Sequence, residues 1–391
     1  MAPKTIDHAI TARSLHGAAT DPTHAGVLSF MRRRYSKQLK GADAVVWGIP
    51  FDAATSNRPG ARFGPQAIRR ASAIFDNDPQ YPFERDLFAD MATIDYGDCL
   101  LDYGNHAKTP ATIEREAAKI LKSGAYLLTL GGDHFVTYPI LKAHAALHGP
   151  LALVQFDAHQ DTWPDEKGRI DHGSFVGRAA REGLIDVERS IQIGIRTHAP
   201  EDCGIRIVYG YEVEEMRAEE IAETIVRHVG SHSAYLTFDI DCLDPAYAPG
   251  TGTPVAGGPS SAKILSVLRK LGALHIAGSD VVEVAPAYDP CRSYRHCWLD
   301  HRHVYAGPQG RMARGTARLI AAVQETDSSL CQTDSGKLRN RLQEQGNHET
   351  EDLHRWRTRH DGLADPRAHG RSLGSRTPVD SGSGTPQCGN A

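Results

Sequence analysis

Paired cysteines, long apolar runs and a strong charge bias are all missing from this chain of 391 residues. The seven cysteines, Cys99, Cys203, Cys242, Cys291, Cys297, Cys331 and Cys388, form no CxxC pair and no dense framework. A disulfide scaffold is therefore not expected, and reduced thiols are the default. No window is apolar for long enough to span a bilayer, so no membrane is expected as a partner. The opening MAPKTIDHAITARSLHGAATDPTHAG lacks the apolar core of a secretory signal. We expect a flexible arm over 1–41 and a cytoplasmic location. Charge of one sign is also lacking: the formal net charge is −4, which argues against nucleic acid as the main partner. What is present is a hydrophobic content of 40%, enough for a core in one large domain or two ordinary ones.

From Ala42 the pattern becomes regular. DAVVWGIPF (43–51), MATIDYGDC (91–99), AYLLTLGG (125–132), LALVQFDAH (151–159), SIQIGIR (190–196), AYLTFDID (234–241) and LHIAGSDVVEV (274–284) read as strands. Between them lie helical patterns around Gln66–Ile74 and over 109–124, 213–230 and 260–272, with another ending in LKAHAALHG. Strands that are continuous apolar runs and alternate with helices indicate an α/β fold, with a mostly parallel sheet covered on both faces. Ligands collect at the carboxyl ends of the strands in such folds. There is no internal repeat.

Polar clusters sit where that rule expects them. Strand 125–132 runs into Asp133-His134, strand 151–156 into Asp157-Ala158-His159-Gln160-Asp161, and strand 234–238 into Asp239-Ile240-Asp241. Residues two apart on an extended backbone leave from the same face, so Asp239 pairs with Asp241, and Asp157 with His159 and Asp161. Adjacent buried carboxylates repel unless a cation lies between them. Each cluster alone has a plainer reading: His134 as a loop histidine, Asp241 or Asp244 as a turn-former, Asp-x-His-x-Asp as a polar turn. Three such clusters, each directly after a buried strand, point instead to metal. His134, Asp157, His159, Asp161, Asp239 and Asp241 make an oxygen-rich, thiolate-free set that suits Mn²⁺ better than structural Zn²⁺. That is too many ligands for one ion. A pair of ions about 3.5 Å apart would hold and ionise a bridging water, so metal-assisted hydrolysis is expected.

These blocks carry a resemblance. GGDHF, FDAHQDTW, DHGS, FDIDCLDPAYAPGTGTP and SDVVEVAPAYDP look like the signature blocks of the ureohydrolase family (arginase, agmatinase and relatives), in the same order from Ala42 to Pro290. In QIGIRT and YLTFDIDCLDP the chain resembles the bacterial agmatinase branch. The resemblance implies a three-layer α/β/α sandwich, a catalytic domain over 42–290, two Mn²⁺ per subunit and a homo-oligomer, trimer or hexamer. It also implies that His134, Asp157, Asp161 and Asp239 hold one ion. Asp157, His159, Asp239 and Asp241 would hold the other, Asp157 and Asp239 bridging. Glu283 matches the family's guanidinium-binding glutamate, and a carboxylate fits that planar fork. His172 matches its proton-shuttling histidine; without the family it reads as a loop residue. The expected reaction is hydrolysis of a guanidino compound, agmatine to putrescine and urea. The loop Trp163–Ile170 lacks the arginase-type Asn/Ser pattern and carries Asp165 and Glu166, which would attract a terminal ammonium. The alternative is 4-guanidinobutyrate, whose carboxylate Lys167 or Arg169 would meet. Two other readings stand beside it: zinc deacetylases of the same architecture, which need only one ion, and a relative that has lost catalysis.

After Pro290 the likeness stops. The family continues there into a long apolar helix, whereas residues 291–391 are dense in Arg, His, Gln, Ser and Gly and read as a disordered tail. With permissible codons, CRSYRHCWLDHRHVYAGPQG shifted by one nucleotide re-reads as ADLTAIAGSTIAMYMLGLK, which looks like the missing helix. An out-of-frame translation of 291–391 is the expectation. Losing that helix would uncover apolar side chains at roughly 1.5–3 kcal/mol each, comparable with a domain's net stability.

Overall fold

The structure is a computed structural model that describes residues 6–17, 19, 21–74, 86–165 and 169–289. Nine strands form one sheet: β1 (Arg34–Tyr35), β2 (Ala44–Gly48), β3 (Thr93–Asp98), β4 (Tyr126–Leu130), β5 (Ala152–Phe156), β6 (Ile191–Ile195), β7 (Arg206–Tyr209), β8 (Ser233–Asp239) and β9 (His275–Val282). Their order is β1-β3-β2-β4-β9-β8-β5-β6-β7, and every neighbouring pair is parallel. Every parallel step needs a crossover, and the helices that supply it cover both faces.

Alternation along each strand builds two cores. Val46, Leu128, Val154 and Leu236 face one way, against Ile68, Ile221, Ile225 and Ile264 of the helices Gly64–Ser72, Ala218–Val229 and Ser261–Leu268. Val45, Trp47, Leu127 and Leu153 face the other way, against Ile113, Ile140 and Val176 of Thr109–Leu121, Thr137–His148 and Phe175–Arg181. The result is the expected three-layer α/β/α sandwich. Truncating any of these large side chains to alanine would cost about 2–5 kcal/mol.

The structure differs from the sequence reading in several places. The helix expected over 213–230 is two, Gly210–Glu215 and Ala218–Val229, because Met216 and Arg217 are extended. Glu220 reaches back to accept from the Arg217 backbone N–H at 2.9 Å, which starts the second helix afresh. The helix Phe175–Arg181 and the edge strands β1 and β7 were not expected; β1 has two residues, and β7 has four and is largely exposed. Part of the segment expected to be a flexible arm packs into the fold. Phe30, Met31, Arg32 and Arg33 are buried, and the Arg32 guanidinium donates to the carbonyls of Ala73 and Pro22. The tail expected to be disordered and out of frame, 291–391, lies outside the described residues.

Candidate metal centre

All the ligand candidates gather at the carboxyl end of β4, β8 and β5, with Glu283 just beyond β9 between them. β4 turns through Gly131-Gly132, and a Cβ on Gly132 would lie 1.6 Å from the Phe51 carbonyl oxygen. Only glycine allows that approach. His134 then opens a short 3-10 turn, His134–Val136. Asp239 ends β8 and caps the next turn, accepting from the Asp241 N–H at 2.8 Å. Asp157 Oδ1 accepts from the His159 N–H at 2.6 Å, and the Asp241 carboxylate takes the Ala158 N–H at 3.1 Å. The loops are thus folded on their own carboxylates.

His134 Nδ1 lies 3.0 Å from Asp157 Oδ2, 3.0 Å from Asp161 Oδ2 and 3.1 Å from Asp239 Oδ2. His159 Nδ1 lies 3.0 Å from Asp241 Oδ2 and 3.4 Å from Asp157 Oδ1. Two groups of ligand atoms result, each within 4.8 Å: His134, Asp157 and Asp239, then Asp157, His159 and Asp241. Asp157 is common to both. Asp239 joins the first group only, and its Oδ1 accepts from the Asp241 N–H.

This donor set fits a pair of divalent cations. The buried His134 Nδ1 has no hydrogen-bond partner of good geometry; it faces three oxygens almost equally, an arrangement that suits a shared cation better than one proton. Four carboxylates concentrate four negative charges out of water, and two dications would balance them. The titration behaviour shows the same excess. Burial together with the charges of Asp241 and Asp157 raises the Asp239 carboxyl well above its ordinary range. Burial and Asp157 push Asp161 up to about 7. Burial opposes charge on His159, yet Asp241 and Asp157 push it up to about 12. Asp161 adopts a left-handed backbone, φ 52°, which costs about 1–3 kcal/mol and aims its carboxylate at His134.

Glu283, also left-handed at φ 60°, sits beside this centre. Its Oε1 accepts from the His134 N–H at 3.0 Å and meets His172 Nδ1 at 2.8 Å, while its buried Oε2 has no partner. His172 Nε2 faces Ser56, with Oγ at 2.8 Å and N–H at 3.1 Å. Burial lowers the His172 pKa, but the Glu283 carboxylate outweighs it and pushes the ring up to about 9. All eight residues picked from the sequence therefore fall in one cluster.

Several supporting residues were not picked. Thr237 Oγ1 lies 2.8 Å from His134 Nε2 and donates to the buried Asp280 at 2.6 Å. Gln155 Nε2 donates to Asp157 at 2.7 Å and reaches Asp161 at 3.3 Å. Ser56 holds His172. A signal existed for two of them: Gln155 and Thr237 each stand two residues before a ligand aspartate, polar in an apolar run and on the same strand face. The acidic loop reads differently in the structure. Asp165 is clamped by Arg178 and Arg181 and Arg169 pairs with Asp171 at 3.4 Å, so neither Asp165 nor Arg169 is a free charge for a substrate tail. Glu166 and Lys167 lie outside the described residues.

The chain is similar to known proteins over the region that carries these residues. The arginase family model matches residues 42–296. An agmatinase from Chromobacterium violaceum is 49% identical over 285 residues, 72% of this chain and 88% of the relative. An agmatinase from Neisseria meningitidis serogroup C is 49% identical over 249 residues, 63% of this chain and 81% of the relative. A crystal structure of a hypothetical agmatinase from Burkholderia thailandensis matches with a TM-score of 0.72 at 50% identity, covering 73% of this chain and 91% of that one. Proclavaminate amidino hydrolase from Streptomyces clavuligerus matches with a TM-score of 0.66 at 40% identity, covering 70% and 93%.

Proposed function

The chain belongs to the arginase family and is an agmatinase-like ureohydrolase, and from that premise we propose that it hydrolyses agmatine to putrescine and urea with two Mn²⁺. One observation carries the reading: two ligand groups that share Asp157 lie beside a Glu283–His172 pair, tied to them through the His134 N–H. On the family's motif, His134, Asp157, Asp161 and Asp239 would hold one ion, and Asp157, His159, Asp239 and Asp241 would hold the other. Such ions, when bound, supply the Lewis acidity that ionises water at neutral pH.

The chain's own residues do the rest. Glu283 Oε2, buried and without a partner, is the acceptor for the guanidinium N–H donors, and its position beside the ligand groups sets the guanidinium carbon near them. His172 supplies the proton that the leaving amine needs. Glu283 keeps that ring charged at neutral pH. Ser56 serves both protonation states, since its Oγ accepts from the charged ring and its N–H donates to the neutral one. The proton can therefore leave and return without moving the imidazole.

The choice of agmatine rests on the relatives' names, because the Asp165 clamp removes part of the charge argument from the loop. The unpaired thiols of Cys99, Cys203 and Cys242 fit a reducing compartment, the cytoplasm. Among the described residues no helix is long and apolar enough to cross a membrane. The test is urea release by the Mn-loaded protein from agmatine, 4-guanidinobutyrate and arginine at equal concentration. Agmatine is expected to be fastest; faster release from 4-guanidinobutyrate overturns the substrate assignment.

A further inference from the structure

One row of side chains crosses the sheet directly beneath the centre. Thr129, Asp280, Thr237, Gln155 and Gln192 are successive register partners on β4, β9, β8, β5 and β6. All five are fully buried, and each replaces an apolar residue where the strand's own pattern would place one. Burying that many polar groups is costly unless they are bonded to one another. Thr129 Oγ1 has no partner; the bonds the other four make lead to the ligands. On one side Asp280 holds Thr237, which faces His134. On the other, Gln155 Nε2 donates to Asp157 Oδ2 and Asp161 Oδ2, and Gln192 Nε2 donates to Gln155 Oε1 at 2.7 Å and to the Gln160 carbonyl at 2.6 Å.

The chemistry of this second arm fixes its direction. An ionised Asp157 only accepts, so Gln155 must turn its NH₂ to it and its carbonyl to Gln192. Gln192 must then present its own NH₂, because both of its neighbours, the Gln155 amide oxygen and the Gln160 carbonyl, are acceptors. Gln192 Oε1 is left buried without a partner, a cost accepted to keep the donors aligned. The two aspartate oxygens that Gln155 touches are those that face His134 Nδ1. Asp157 Oδ1, which faces His159, is held by the His159 N–H, and on that side Gln155 Nε2 reaches only the His159 main-chain carbonyl, at 3.4 Å, and no ligand atom.

We propose that Gln155 and Gln192 are positioning residues that form a one-way amide relay and set the affinity of the ion on the His134 side, but not that of the ion on the His159 side. The proposal rests on the cluster being a two-ion centre. Gln192 touches no ligand, so any effect it has on the ion travels through the Gln155 amide. Replacing Gln192 by glutamate removes the NH₂ donor, and the ionised carboxylate flips the Gln155 amide and turns an oxygen onto Asp157. Replacing Gln155 by methionine deletes the donor while keeping the side chain's length.

The test is Mn²⁺ titration of the metal-stripped full chain, followed by calorimetry and by the electron paramagnetic resonance of free Mn²⁺. The variants are Gln155→Met, Gln192→Glu and the double variant, each checked for thermal unfolding without metal. Gln155→Met and Gln192→Glu are each expected to weaken one of the two sites about 10- to 100-fold and to leave the other within about twofold. In the double variant, Gln192→Glu should add no further loss, since the relay is already cut. Two sites of unchanged affinity in Gln155→Met, equal weakening of both sites, or additive losses in the double variant would overturn the relay. If the unaltered chain itself binds no Mn²⁺, the metal-centre reading fails, which is a different outcome. Should Gln155→Met not fold, Gln192→Glu against Gln192→Met decides: the glutamate must weaken the His134-side ion more than methionine does, and equal effects refute the proposal.

Discussion

Substituting Glu283→Gln keeps the side chain's shape and removes one charge, so its effect on His172 can be worked through. The two groups meet at 2.8 Å, with side-chain exposures of 10% and 1%. Burial works to lower the His172 pKa; the Glu283 hydrogen bond and charge reverse that and push it up to about 9. Without the carboxylate, burial is opposed only by the charges of Asp133 and Asp161, and the ring should titrate near its ordinary value of about 6.5. That change exceeds about 2 pH units, or roughly 3 kcal/mol between the two protonation states. The folded pKa is raised, so the stabilisation is fully present below about pH 6.5 and is lost as pH rises through about 9. The original chain should therefore exceed the variant by about 3 kcal/mol near pH 6, about 2 kcal/mol near pH 7.5 and almost nothing near pH 10. Denaturant unfolding of both metal-stripped proteins at those values measures it, and the imidazole carbon-bound proton resonance reports His172 directly. In the loaded enzyme the variant should lose about 10²–10⁴-fold in kcat as the proton donor is discharged. Parallel stability curves, or a variant whose His172 still titrates near 9, would refute the reasoning.

Other consequences follow from the same geometry. Asp157→Asn should abolish tight binding of both ions and reduce urea release to background, because both ligand groups use Asp157; retention of either ion by calorimetry would contradict the shared role. Asp241→Asn touches one group only and should spare the His134-side ion. His144 is fully buried with no partner on either ring nitrogen, and burial holds its pKa down to about 3. Its folded pKa is depressed, so stability is full above about pH 6.5 and falls as acid drives protonation in the unfolded chain, by about 2 kcal/mol at pH 5. His144→Leu should flatten that acid limb, and an unchanged slope would exclude His144 as its source. Resequencing the transcript across codon 290 should reveal a displaced nucleotide; an unbroken frame in an active enzyme would remove the out-of-frame account of 291–391.

The parts legible in the sequence were those written as period and position. β2, β4, β5, β6, β8 and β9 appear as apolar runs because both their faces are buried. Every ligand follows such a run, where a parallel sheet gathers its loops. His172 and Glu283 became legible through the family motif alone, since nothing local distinguishes them from loop and strand-end residues. What could not be read was set by partners distant in sequence. Arg32 is buried because Pro22 and Ala73 offer carbonyls, and Asp165 is neutralised by arginines on a helix the pattern did not show. Met216–Arg217 breaks a continuous helical pattern through the Glu220 cap. The polar row under the metal ligands was half-visible: Gln155 and Thr237 break apolar runs, but only strand register joins them to Asp280 and Gln192.

The proposed hydrolytic centre needs two ions. Its most direct test is urea release from agmatine by the metal-stripped protein as Mn²⁺ is added stepwise, with ion binding counted in parallel. Urea should be absent without metal, its release should rise to saturation at two ions per subunit, and chelation should abolish it. Urea release that is independent of metal, or that saturates at a single ion, would contradict the need for two ions.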